Sequence, residues 1–158
     1  MSPSVTIAPA VSAEHVAEVA GLFRAYGASL DVDLAYQDFE TELADLPGKY
    51  ASPTGALLLA HDASGEPIGC VGLRPLDDGT CEMKRLFVSP AGRGLGLGRA
   101  LMLAAIDVAR AQGYREMQLD TLPTMAAAQT LYRRAGFEPM AAYYDTPVEG
   151  TLFMRLKL

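Results

Sequence analysis

Four glycines alternate within seven residues, Gly92-Arg93-Gly94-Leu95-Gly96-Leu97-Gly98, between a β-branched, apolar run ending at Val88 and a helix-like run from about Leu95 to Gln112. This constrains the chain more than any other feature. Glycine lets backbone turn sharply and approach a ligand without a Cβ in the way. A helix start presents unpaired N–H groups and the positive end of the helix dipole, a combination suited to phosphate. A strand, a glycine turn and a helix in that order therefore point to a bound anion.

Two common phosphate readers fail. The spacing GxGxxG would need glycine at Leu97, Arg99 or Leu101. A P-loop needs Gly-Lys-Ser/Thr, but the lone Gly48-Lys49 pair is followed by Tyr50 and preceded by Leu43 where glycine is required.

The periodicity around this turn gives the class. Val5-Thr6-Ile7 reads as a strand, and Ser12 caps a predicted helix from Ala13 to Leu30 with Val16, Val19, Ala20, Phe23 and Tyr26 on one face. Tyr36–Leu46 is a second predicted helix, stopped by Pro47-Gly48. Ala56–His61, Ile68–Leu73 and Thr80–Val88, joined by short turns, predict an antiparallel meander. Arg115–Leu122 is a strand, Met125–Ala135 a helix closed by Gly136, and Phe137–Tyr144 and Thr151–Leu158 are final strands. The central strand-helix-strand unit implies a parallel pair. The expectation is one α/β (α+β) domain over residues 1–158, a mixed twisted sheet of six to seven strands flanked by about four helices.

Composition excludes several classes. Half of the 158 residues are apolar and a fifth charged, which is globular. The net charge is −6 and the 13 basic residues form no run, so nucleic acid is not expected as a partner. The apolar helix near Leu101–Ala109 is interrupted by Asp107 and bounded by arginines, too short to cross a membrane. Met1–Ala10 lacks a leader's basic and apolar regions, and a cytoplasmic location is expected. Cys70 and Cys81 lack metal or redox spacing; with the turn at Asp77-Asp78-Gly79, Cys81 falls opposite about Pro75, so both are expected as free thiols. His15 and His61 stand apart with no ligand spacing, and no metal is implied.

Arg93-x-x-Gly96-x-Gly98 resembles the RxxGxG pyrophosphate turn of the GNAT superfamily of N-acetyltransferases. Leu131-Tyr132-Arg133-Arg134-Ala135-Gly136-Phe137, beyond one further strand, resembles the LYxxxGF segment of that family. The likeness covers Glu82 to Phe137; residues 1–55 share only predicted secondary structure with it. It implies acetyl-CoA as co-substrate and an amine acceptor, a small molecule or peptide. It implies that backbone N–H groups across Arg93, Gly94, Leu95, Gly96, Leu97, Gly98 and Arg99 cradle the pyrophosphate. Main-chain groups of Leu86, Phe87 and Val88 would meet the pantetheine arm, in a gap where two strands splay. Tyr132 would protonate the leaving sulfur, its phenol pKa of about 10 keeping the proton at neutral pH. Glu82 is the candidate base, with pairing to Lys84 or another basic neighbour as its alternative role. Strand alternation puts Glu82, Lys84, Leu86 and Val88 on one face and Met83, Arg85 and Phe87 on the other.

One position departs from the family. Met125 stands where many members have an asparagine contacting the pantetheine, so that contact is lost or passes to a neighbour such as Thr124. With no cysteine in either motif, direct transfer is expected rather than an acetyl-enzyme. Other expectations stay open: a different acyl group, a non-catalytic acyl-CoA-binding module, and a homodimer. Asp120-Thr121 either faces the cleft or caps a loop, and Tyr143-Tyr144-Asp145 forms either a wall of the acceptor pocket or a tyrosine-dressed sheet edge. The acceptor would depend on Leu30–Pro53 and Tyr143–Gly150, which carry no readable code.

Overall fold

The computed structural model describes residues 4–158; Met1 to Pro3, part of the leader reading, lie outside the described residues. Seven strands form one sheet: β1 (Thr6–Pro9), β2 (Ala56–His61), β3 (Pro67–Pro75), β4 (Thr80–Val88), β5 (Glu116–Thr121), β6 (Glu138–Met140) and β7 (Leu152–Lys157). Their order is β1-β2-β3-β4-β5-β7-β6, with only β4 and β5 parallel. Four α-helices flank it: α1 (Ala13–Ala28), α2 (Phe39–Asp45), α3 (Leu97–Ala111) and α4 (Ala126–Ala135).

Each sheet face carries its own core. On one side, Leu97, Leu101, Met102, Ala105, Ile106 and Ala109 of α3 pack on Val71, Leu73, Met83 and Met117, with Tyr132 and Phe137 closing the cluster. Those α3 positions recur at three- and four-residue spacing, as one buried helix face requires. On the other side, Val19, Leu22 and Phe23 of α1 pack with Phe39 and Leu43 of α2 on Leu57, Leu59 and Cys70. Each fully buried aliphatic side chain contributes about 1.5–3 kcal/mol by leaving water. Cys81 pairs with Pro75 in the ladder, and both cysteines are buried free thiols, as expected.

Four expectations need correction. The helix expected over Tyr36–Leu46 splits into a 3₁₀ turn, Leu34–Gln37, and α2. Asp33 causes the early turn by accepting the Ala35 N–H at 2.9 Å, and Asp38 breaks the helix by adopting a left-handed backbone, φ 57°. The long helix begins at Leu97 rather than Leu95, because Gly96 sits at φ 68° and cannot be helical. The strand expected over Phe137–Tyr144 shrinks to three residues, since Tyr143 and Tyr144 leave the sheet and pack edge-on against Phe153, ring centroids 5.1 and 5.2 Å away.

The fourth correction concerns the central strand. Gly72 faces Lys84 but Cys70 faces Phe87, so β4 holds one residue more than β3 across the same span. This is a β-bulge, and Arg85 stands in it at φ 61°. The extra residue breaks the alternation. Arg85 joins Lys84 in bonding to Gln37, on the side of α1 and α2, while Phe87 packs in that core. Leu86 and Val88 pack in the opposite core with Met83.

Candidate active site

The glycine turn sets one end of the site. Gly94 and Gly96 hold φ values of 81° and 68°, although a Cβ on either would meet nothing within 4 Å. Backbone conformation, rather than space, calls for glycine there. The first backbone bond of α3 runs from the Ala100 N–H to the Gly96 carbonyl at 3.1 Å. The N–H groups of Leu97, Gly98 and Arg99 thus lie ahead of the helix ladder, available to an anion.

A cavity of about 610 Å³ runs from this turn along the end of β4 to the start of α4. Leu86, Phe87, Val88, Arg93, Gly94, Gly96, Leu97, Gly98 and Arg99 all line it. Leu95 does not; it stands in the loop, 42% exposed. Thr124 and Met125 line the far wall, and the Met125 sulfur accepts the Thr121 hydroxyl at 3.7 Å.

The groove leads into a gap between strands. β4 pairs with β5 only over Thr80–Glu82 against Glu116–Gln118, and beyond Glu82 the two diverge. In the gap lies a cavity of about 50 Å³, bordered by Lys84, Arg85, Asp120, Thr121 and Tyr132. Tyr132 is 7% exposed, on α4, edge-on to Phe137 at 5.7 Å between ring centroids. Burial pushes its phenol well above the ordinary value, so it keeps its proton. Among the described residues its hydroxyl has no hydrogen-bond partner, which leaves the proton free for a ligand.

Behind the gap lies a polar network that sequence reasoning only partly found. Arg74 Nε–H donates to Glu82 Oε1 at 2.7 Å, and the Tyr143 hydroxyl donates to Glu82 Oε2 at 2.6 Å. Burial raises the Glu82 pKa, but Lys84, Arg74 and the Tyr143 hydrogen bond outweigh it, and the carboxyl ends below its ordinary value. Arg85 Nε–H donates to Glu42 Oε2 at 3.0 Å and Nη1–H to Gln37 Oε1 at 2.7 Å, its guanidinium 4.9 Å from the Phe39 ring centroid. Lys84 Nζ donates to Gln37 Oε1 at 3.1 Å. The Tyr144 hydroxyl donates to Asp120 Oδ2 and receives an N–H from Gln37 at 3.3 Å.

Gln37, Glu42, Arg74, Lys84 and Arg85 were not singled out as site residues from the sequence. A signal existed: Glu82, Lys84 and Arg85 fall in a strand-like run at the centre of an apolar meander. Charges in such a strand are buried and must find partners. The histidines, which carry no ligand spacing in the sequence and read as surface or satisfied-core residues, meet in the fold: His61 Nε2 lies 2.8 Å from Glu18 Oε1, and a potential ligand atom from each of His15, Glu18 and His61 falls within 4.8 Å of the others. This cluster borders neither cavity of the site. A larger cavity, about 710 Å³, opens by α1 and Pro47. Its walls are mostly apolar and Tyr50 is its one titratable group, so it offers little for chemistry.

The sequence and the fold match known proteins. The model of the acetyltransferase (GNAT) family matches residues 20–137. A Schizosaccharomyces pombe protein named as an uncharacterized N-acetyltransferase is 40% identical over 138 residues, 87% of this chain and 85% of its own. The crystal structure of a GNAT-family acetyltransferase from Staphylococcus aureus superposes with a TM-score of 0.81 at 20% identity, over 98% of this chain and 99% of that one. The structure of yncA from Salmonella typhimurium with its cofactor acetyl-CoA has a TM-score of 0.69 at 23% identity, over 97% of this chain and 93% of that one. The chain belongs to the GNAT family of acetyltransferases. Among the described residues, no helix is long and apolar enough to cross a membrane.

Proposed function

We propose that this chain transfers the acetyl group of acetyl-CoA directly to an amine, without an acetyl-enzyme. The observation that carries the reading is adjacency. The groove that starts at the unpaired N–H groups of the α3 turn and passes the edge of β4 shares the walls Tyr26, Leu86, Met125 and Ala128 with the small cavity in the splay, where the Tyr132 hydroxyl waits unpaired. A pyrophosphate at the turn and a thioester at the splay suit those two ends. The bulge at Arg85 releases backbone groups of β4 from the ladder, which suits the pantetheine amides and the thioester carbonyl.

In this reading the amine nitrogen attacks the thioester carbon, the C–S bond breaks, sulfur takes the Tyr132 proton, and the extra proton on the new amide nitrogen returns to the Tyr132 oxygen. The acceptor first loses a proton, since an alkyl ammonium has a pKa of about 10.4. Glu82 takes it through Tyr143: the phenol oxygen receives the acceptor's proton as it passes its own to Glu82. A second reading gives the role to Asp120. Both Glu82 oxygens are already hydrogen-bonded, whereas Asp120 Oδ1 has no partner among the described residues.

Titration calorimetry with acetyl-CoA, coenzyme A and NAD tests the cofactor; micromolar binding of acetyl-CoA without binding of NAD is expected. Release of free coenzyme A thiol in the presence of amines then tests transfer. A protein that binds no coenzyme A species refutes the reading.

A further inference from the structure

The network behind the splay leaves one charge of each sign over. Arg74 is matched by Glu82, and Arg85 by Glu42. Among the described residues, Lys84 and Asp120 have no ion-pair partner within 4.0 Å, although both border the same small cavity. An ammonium carries three donors. Lys84 Nζ uses one, on Gln37 Oε1, an oxygen that Arg85 also claims. Lys84 is only 7% exposed, so water does not readily serve the other two. Asp120 likewise keeps one carboxylate oxygen free.

Burying an ammonium with unmet donors is costly. A direct Lys84–Asp120 contact would have relieved it, yet the two charged groups lie more than 4.0 Å apart while both border a cavity that Tyr132 also borders. Two separated, opposite, half-satisfied charges form a receptor for a molecule with the same charges reversed.

Resting on the reading of the chain as an amine acetyltransferase, we propose that the acceptor is a small amino acid or similar zwitterion, whose carboxylate accepts hydrogen bonds from Lys84 and whose ammonium donates to Asp120. This deepens that reading by naming the substrate class. Asp120, the second of the two bases above, takes one proton from the ammonium. The freed nitrogen attacks the thioester carbon; the C–S electrons pass to sulfur, which takes the Tyr132 proton. The extra proton left on the new amide nitrogen returns to the Tyr132 oxygen. One proton is released overall, through Asp120. A polyamine brings two positive charges and meets Lys84 with repulsion. A peptide N-terminus brings an amine but no carboxylate at the reacting head. The cavity, about 50 Å³, takes a compact head group.

The test uses the full chain, acetyl-CoA and thiol release. The panel is the twenty proteinogenic amino acids, β-alanine and γ-aminobutyrate, with the decarboxylated amine and the carboxamide of each active acceptor. Turnover confined to carboxylate-bearing acceptors is expected, with kcat/KM at least 100-fold lower once the carboxylate is removed or amidated. Lys84→Met should raise KM for the amino acid at least 30-fold, keep the calorimetric affinity for acetyl-CoA within twofold, and erase the preference for the carboxylate. Because Lys84 is buried, Lys84→Arg serves as the charge-retaining control and should keep most of the preference. Equal turnover of amines lacking the carboxylate overturns the proposal, as does a folded Lys84→Met with unchanged KM. So does a protein that binds acetyl-CoA yet acetylates no amino acid in the panel. Failure to bind acetyl-CoA overturns the acetyltransferase reading instead.

Discussion

The two faces of the sheet are held together by different means. Under α3 and α4 the contacts are apolar and interchangeable: Leu101, Met102, Ile106, Met117 and their neighbours exclude water, and no single pair dictates the rest. Under α1 and α2 an apolar core gives way, toward the splay, to paired charges: Arg85 with Glu42 and Arg74 with Glu82, tied by Gln37 and two tyrosines. An apolar core tolerates a lost contact in proportion to its volume. A buried charge that loses its partner has no such gradation. The first face is built to be stable, and the second to be selective.

Substitutions can break that contrast. The largest effect is expected from Glu42→Ala, which strands the buried Arg85 guanidinium; about 3–5 kcal/mol should be lost in urea unfolding. Leu101→Ala on the apolar face should cost about 2–5 kcal/mol, with the loss tracking the residual cavity. If Glu42→Ala costs less than 1 kcal/mol, the two faces are not different in kind. Tyr132→Phe is expected to lower kcat about 100-fold while the calorimetric affinity for acetyl-CoA holds. A similar fall in affinity would make the ring, rather than the hydroxyl, the functional part.

Acid sensitivity sharpens the same contrast more gently. The folded-state pKa of Glu82 lies below its unfolded value, so its stabilisation is complete above the ordinary glutamate range, about 4.3, and is lost as pH falls through the folded value. Wild-type protein should lose stability on that acid limb, and Glu82→Gln should show a shallower limb in pH-dependent unfolding. Smallest is Gly96→Ala, which forces a side chain into the left-handed region at a cost of about 1–2 kcal/mol, read as roughly tenfold weaker acetyl-CoA binding.

The same division explains what the sequence disclosed. The α3 face, the meander and the glycine turn are local: helical spacing, alternation and turn residues all lie within short windows, and the structure follows them to within a few residues. The long groove is lined by the stretches that the resemblance to the GNAT motifs singled out, Leu86–Val88 and Arg93–Arg99 without Leu95, and local patterning alone did not point to them. The charged chamber was legible only in part: Glu82, Asp120 and the two tyrosines were candidates, but their partners were not. Its members come from residues as distant as Gln37, Arg74, Asp120 and Tyr144, brought together only by tertiary packing. Tyr143 and Tyr144 read equally as a wall of the acceptor pocket and as sheet-edge residues, the latter because aromatic side chains favour strands. Their hydroxyls found carboxylates instead, and the strand ended early. His15 and His61 lie on different elements, and no spacing rule links them.

The extra residue at Arg85 has a consequence for comparison between chains. Along a strand, the side a residue faces is a matter of parity: even steps keep it and odd steps reverse it. Arg85 changes the parity midway through β4. The same letters paired without the bulge would turn Phe87 away from the α1 core and Leu86 and Val88 away from the α3 core, whereas deleting Arg85 would restore simple alternation, leave those three on their present faces and remove the guanidinium from the chamber. Relatives with a near-identical strand but a different residue count there would thus differ in the chamber they enclose, and identity scores would not register it.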